Sequence, residues 1–119
     1  MSNGIIIRVA DLIGSSSCIS AEDGQKVFNT LVPFLKSRKE VIISFERIST
    51  LISLFLNVAI GQLYGVFSEN EIRALIKVDG LACDDLEILK RVVENAKKYY
   101  ANPKGYDAAW HEEEDTDDQ

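Results

Sequence analysis

Residues that bind metals or take part in redox chemistry are scarce in this 119-residue chain, which has two cysteines and one histidine. Cys18 and Cys83 lie far apart and form no CxxC or Cys/His pattern, and His111 has no partner at ligand spacing. This scarcity predicts two free thiols, both buried as small apolar residues, and no structural zinc site. We therefore expect no metal and no cofactor.

Long apolar runs and basic stripes are also missing from the sequence. No run approaches the roughly 20 apolar residues that a membrane-spanning helix needs, and the first residues lack the basic region of a signal peptide. We therefore expect a cytoplasmic protein that does not bind membranes. Without a basic stripe, nucleic-acid binding is not expected either.

The net charge of −6 comes from the end of the chain. Residues 105–119 hold seven of the 19 acidic residues and none of the 13 basic residues, so the rest of the chain is nearly neutral. This imbalance predicts a folded domain over residues 1–102 and an acidic tail over residues 103–119.

Three interpretations of the acidic tail remain open. It can be a solubilising end without a packed structure, or a partner-binding motif anchored by Tyr106 and Trp110. The third interpretation is weak binding of a divalent cation by the run EEEDTDD, which lacks the spacing of a calcium loop.

Strand patterns alternate with helix patterns along the chain. β-Branched and apolar runs predict strands at 4–9, 40–45 and 73–78. Apolar residues at three- and four-residue spacing predict helices that begin after Ser20, near Ser53 and near residue 86, and Ser68 opens a capping box. This order predicts an α/β fold, a small mixed sheet with at least partly parallel pairing and helices packed against it.

The segment 41–68 is the most informative part of the chain. An apolar run is followed by small hydroxyl residues and then by a helical pattern, which places Ser53 at the N-cap of a helix. The free N–H groups and the dipole of a helix N-terminus favour an anion there. Ser53, Ser49 and Thr50 are therefore candidate phosphoacceptors or anion ligands.

The residues that follow these hydroxyls are candidates for a partner surface. Leu54 and Phe55 either pack into the core or form an exposed apolar patch, and Asn57 lies one helical turn further along. The sequence leaves both alternatives open for the two apolar residues.

The order of strand, hydroxyl-bearing turn and helix with a small-residue face resembles the STAS domain (sulfate transporter and anti-sigma factor antagonist). The run FLNVAIGQLYG and the surrounding residues 4–100 are similar to the STAS-like domains of unknown function found in bacteria. The resemblance implies a regulatory protein that docks a kinase or ATPase of the GHKL type.

Anti-sigma antagonists of the STAS type carry an Asp-Ser-Ser-Gly turn whose first serine is phosphorylated. Ser53 takes the position of that serine, whereas Ile52 replaces the aspartate and Leu54 the second serine. Phe55 and Asn57 stand where the glycines would be. The resemblance therefore implies the scaffold and the position of a switch, with half of its motif replaced.

No nucleophile elbow, phosphate loop or pair of metal ligands is present, so we do not expect an enzyme. The sequence predicts a small regulatory module that binds a protein through residues 49–57. The alternative is a module that holds a small anion or nucleotide at the helix N-terminus near Ser53.

Overall fold

Short strands and helices alternate along residues 4–101, the part of the chain that the computed structural model describes. The strands are β1 (Ile5–Arg8), β2 (Ser17–Cys18), β3 (Val41–Ser44), β4 (Thr50–Leu51) and β5 (Ile76–Asp79). The helices are α1 (Val9–Ile13), α2 (Ala21–Lys36), α3 (Ser53–Ala59), the 3₁₀ helix η1 (Gly61–Gly65), α4 (Glu69–Leu75) and α5 (Cys83–Ala101). This order confirms the predicted α/β class. The acidic tail, with Tyr106, Trp110 and His111, lies outside the described residues.

The main sheet has the strand order β1-β3-β5, and both of its strand pairs are parallel. Its central strand β3 contains the apolar run that predicts a buried strand, and Val41 and Ile43 are fully buried. The connection from β1 to β3 and the connection from β3 to β5 both move the chain in the same direction across the sheet. Since such crossovers are right-handed, their helices lie on one face of the sheet, where they form a second layer.

Side-chain hydrogen bonds begin two of the helices as the sequence predicts. The Ser20 hydroxyl accepts from the Asp23 N–H at 3.1 Å and begins α2. Ser68 and Glu71 form the reciprocal capping box that begins α4. These caps satisfy N–H groups that a helix N-terminus leaves unpaired.

The structure differs from the sequence pattern at two places in the second half of the domain. The helix that begins at Ser53 ends at Ala59, where the chain tightens into η1. Gly61 and the β-branched residues before it favour an α-helix only weakly, so the break has a local cause. The strand predicted at 73–78 begins only at Ile76, because the capping box extends α4 to Leu75.

The two cysteines differ in their surroundings. Cys18 is fully buried in the core, as the sequence predicts, whereas Cys83 is exposed at the start of α5. Burial and, after it, the negative charges of Asp23 and Asp85 raise the pKa of the Cys18 thiol to about 12. The prediction that both thiols are buried is therefore wrong for Cys83.

We expect one thiol per native chain to react with Ellman's reagent at about pH 8, since only a thiolate attacks it and Cys18 stays protonated and shielded. The second thiol should react only after unfolding in urea. The variant Cys83→Ser should lose the native reaction. Two thiols reacting at equal rates in the native protein would contradict the burial of Cys18.

None of the helices within residues 4–101 is long and apolar enough to cross a membrane.

Candidate functional site

Two strand-to-helix junctions lie side by side at one end of the domain. β2 leads into α2, and β4 leads into α3. The two strands form a separate parallel pair in which Ser17 lies beside Thr50 and Cys18 beside Leu51. The Ile52 N–H donates to the Cys18 carbonyl at 3.1 Å, so the pairing continues to the start of α3.

Strand alternation turns two isoleucines of these junctions outward. Cys18 and Leu51 point into the core, and the residue that follows each strand, Ile19 or Ile52, lies on the opposite side. Ile19 is 50 % exposed and Ile52 is 38 % exposed. Leu54, in the first turn of α3, is 47 % exposed. We call Ile19, Ile52 and Leu54 the apolar patch.

The structure separates the two apolar residues that the sequence leaves ambiguous. Phe55 is fully buried in the core and contributes no surface, so its prediction as a partner-surface residue is wrong. Its backbone carbonyl faces α2 at Gly24. Leu54 points outward because neighbouring helix positions differ by about 100° around the axis. Leu54 therefore remains a candidate for the partner surface, and Phe55 does not.

A groove adjoins the apolar patch and shares Leu54 with it. We call it the tyrosine groove; its volume is about 320 Å³. It lies between the α3–η1 segment and the end of α5 and is lined by Leu54, Asn57, Val58, Gly61, Gln62, Ala96, Tyr99 and Tyr100. Asn57 is half-buried and lines the groove together with Leu54.

The wall of the tyrosine groove is held by specific contacts. The rings of Tyr99 and Tyr100 meet edge to face with their centroids 4.7 Å apart. Tyr100 packs so closely on Gly65 that a Cβ atom on Gly65 would lie 2.5 Å from the Tyr100 ring. The amide nitrogen of Gln62 donates to the Val58 carbonyl at 2.8 Å and to Gln25 at 3.1 Å. These contacts give the groove a defined shape without a ligand.

The three candidate hydroxyls do not converge on one point. Ser53 is the first residue of α3, and the N-cap position belongs to Ile52, which makes no side-chain cap. The prediction that Ser53 caps the helix is therefore wrong. The Ser49 hydroxyl donates to the Ser16 carbonyl at 3.3 Å, and Thr50 is an exposed residue of β4. Ser53 is also exposed, so it stays accessible to another protein.

Carboxylates stand in the first turns of two helices at this end of the domain and disfavour an anion there. Glu22 and Asp23 stand in the first turn of α2, and Asp85 in the first turn of α5. Asp23 and Asp85 lie near enough to the Cys18 thiol for their charges to raise its pKa. Lys26 offsets part of this charge through an exposed ion pair with Asp23 at 3.7 Å. We call Glu22, Asp23 and Asp85 the acidic rim.

The alternative of an anion or nucleotide site near Ser53 gains no support from this geometry. α3 has only seven residues, so its dipole is small, and no side chain caps its N-terminus. The acidic rim would repel a phosphate group. The site as built offers an apolar centre, a groove and a negatively charged edge.

The site lies on a small α/β domain whose main sheet is parallel. Residues 23–86, more than half of the chain, match the family described as a STAS-like domain of unknown function, and the chain belongs to this family. The match runs from the first turn of α2 to the first turn of α5 and so contains Ile52 and Leu54 but not Ile19. Comparison with curated proteins and with solved structures gives no match.

Sequence reasoning misses two parts of the site. Ile19 belongs to it because β2 pairs with β4, and strands of two residues are too short to show a period. Tyr99 and Tyr100 line the groove because α5 packs against η1. Their position near the end of an amphipathic helix is the only signal in the sequence, and it is typical of core residues as well.

Proposed function

We propose that this chain is a small cytoplasmic regulatory module that binds a protein partner through the apolar patch and the tyrosine groove, and that it is not an enzyme. The partner inserts an apolar side chain beside Leu54. The family resemblance supports a partner of the GHKL ATPase or kinase class. Neither nucleic acid nor a membrane surface takes part.

The observation that carries this proposal is the exposure of Ile19 and Ile52, which directly follow the paired strands β2 and β4, and of Leu54 two residues further along the chain. Scattered exposed apolar residues are ordinary in soluble proteins, whereas a contiguous patch with a polar edge is typical of a protein interface. Here two exposed isoleucines directly follow a pair of neighbouring strands, and a shaped groove begins at Leu54. Burial of such a centre supplies most of the binding energy in known interfaces.

The acidic rim specifies the chemistry of the partner. Basic residues around the partner's apolar anchor would complement Glu22 and Asp85, which raises the association rate more than the affinity. The acidic tail at 103–119 adds charge of the same sign and would steer the same basic partner. Binding should therefore weaken as the salt concentration rises.

The proposed switch is phosphorylation at Ser53. A phosphoryl group there would place a dianion beside Leu54, where a docked apolar side chain has to exclude water. The cost of desolvating this charge would release the partner. The replacement of the aspartate by Ile52 means that the kinase has to recognise the apolar patch itself.

The test measures calorimetric binding of the full chain to the purified ATPase domain of a GHKL-type kinase from the same genome. We expect Leu54→Ser to weaken binding by about tenfold, which corresponds to about 1.4 kcal/mol, and to leave the melting temperature unchanged because Leu54 is a surface residue.

Val66→Ser is the matched control, since Val66 is 51 % exposed and does not belong to the patch or line the groove. This variant should bind as tightly as the unmodified chain. Equal affinities for Leu54→Ser and the unmodified chain would contradict the proposed surface. Absence of any binding by the unmodified chain would contradict the proposed class of partner.

A further inference from the structure

The topology of the main sheet leaves one of its faces without a helix, and we call it the bare face. The order β1-β3-β5 places both crossovers on the same side, and α5 packs against α3 and η1 in that same layer. Among residues 4–101, the helices therefore cover one face only. Parallel sheets are normally covered on both faces, so an exposed face of this kind calls for an explanation.

The residues of the bare face follow from the strand register. Alternate positions point away from the helices and form two rows across the three strands. The first row is Ile6, Ile42 and Lys77, and the second is Arg8, Ser44 and Asp79. The residues of the two edge strands are exposed, whereas Ile42 is half-buried and Ser44 is buried on the central strand. Ile6 is 55 % exposed, the largest exposure among the large apolar residues described.

The second row carries opposite charges at its two ends. It begins with a cation on β1, Arg8, and ends with an anion on β5, Asp79. Arg8 pairs with Glu46 at 3.6 Å, but both side chains are more than half exposed, so this ion pair contributes little. The row can therefore meet a second row that runs in the opposite direction.

We propose that the occupant of this face is a second copy of the chain, related to the first by a two-fold axis that runs parallel to β3. Such an axis places β1 of one copy over β5 of the other. Arg8 then faces Asp79 of the second copy, and Asp79 faces its Arg8. Ile42 meets its own counterpart, and Ile6 lies against the aliphatic part of Lys77.

This pairing is isologous, since the same residues contribute from both copies. The two sheets would lie about 10 Å apart, the usual distance for sheets packed face to face. Glu40, just before β3, would approach its own counterpart across the axis, and the Lys77 side chains beside it offset that repulsion. This dimer buries the exposed Ile6. Every charge in the second row of each copy is paired with an opposite charge of the other copy.

The size of the face determines how strong the association is. Three strands of four residues form a face of about 14 by 13 Å. The area of this face is far smaller than the area of about 800 Å² that each partner buries in a stable complex. We therefore expect a weak dimer in reversible equilibrium with the monomer. The apolar patch and the tyrosine groove lie in the helical layer, so the dimer leaves the proposed partner surface accessible in both copies.

The test is sedimentation equilibrium of the full chain from micromolar to millimolar concentration. We expect a monomer–dimer equilibrium that either single charge reversal, Arg8→Asp or Asp79→Arg, weakens by about tenfold or more, because each turns two attractive pairs into repulsive ones. The double variant R8D/D79R restores opposite charges across the axis. It should dimerise as well as the unmodified chain.

Ile6→Asp should abolish the dimer, whereas Val66→Asp, a change of similar exposure in the helical layer, should not affect it. A chain that stays monomeric up to millimolar concentration would overturn the proposal and would leave the face to another occupant, such as residues 102–119. A dimer that persists in R8D, or one that R8D/D79R does not restore, would overturn it as well. None of these outcomes depends on whether the kinase partner binds.

Discussion

Phe55→Ala should lower the free energy of unfolding by about 3–5 kcal/mol, the usual cost of removing a buried phenylalanine ring. The side chain is fully buried in the core, and its helix α3 packs against α2 and α5. Since a domain of this size is stable by about 5–15 kcal/mol, this loss is a large part of the total. Urea denaturation followed by circular dichroism measures it directly.

The neighbouring residue provides the control for this experiment. Leu54→Ala removes a side chain that is nearly half exposed, and surface substitutions usually change stability by about 0.5 kcal/mol or less. The pair of variants therefore separates the core role of Phe55 from the surface role of Leu54. Equal losses for both variants would show that Leu54 is buried in solution, and the apolar patch would then lose its central residue.

Local patterns in the sequence are enough to predict most of the fold. A continuous apolar run predicts β3 as the buried central strand, and Ser20 and Ser68 mark the starts of two helices. These features depend on residues close together in the chain. For the same reason the α/β class and the family resemblance follow from the sequence alone.

The candidate site is predicted less well because its parts come from distant segments. The sequence names Leu54, Phe55 and Asn57 as candidates for a partner surface, but it cannot separate Leu54 from Phe55, since both are apolar and adjacent. Ile19 enters the site through pairing between segments 33 residues apart, as in the hydrogen bond from Ser49 to Ser16. Serine is a common N-cap residue, but the residue with the extended backbone conformation of an N-cap is Ile52, and Ser53 already belongs to the helix.

The bare sheet face shows a similar limit. The β-branched run Ile5–Ile7 predicts a strand, but not whether it lies at the centre or the edge of the sheet. Its edge position follows from the order of all three strands. The exposure of Ile6 is therefore a property of the topology, and it cannot be read from residues 4–9 alone.

Gly24→Ala should destabilise the domain by about 1–3 kcal/mol, the usual cost of forcing an extra methyl group into a packed interior. α2 crosses α3 at Gly24, where a Cβ would lie 2.8 Å from the Phe55 carbonyl oxygen and 3.0 Å from the Cβ of Val58. The carbonyl belongs to the backbone of α3 and cannot rotate away. The helices would have to separate, although alanine by itself favours a helix over glycine by about 1 kcal/mol.

Gly61→Ala is the matched control because a Cβ at that glycine would meet its neighbours at ordinary distances of 3.7 to 3.8 Å. We expect this variant to be as stable as the unmodified chain or slightly more stable, since alanine restricts the unfolded state. A Gly24→Ala variant that melts at or above the temperature of the unmodified chain would contradict the close contact. The contact matters for the site because it holds the starts of α2 and α3 together, and with them Ile19 beside Ile52.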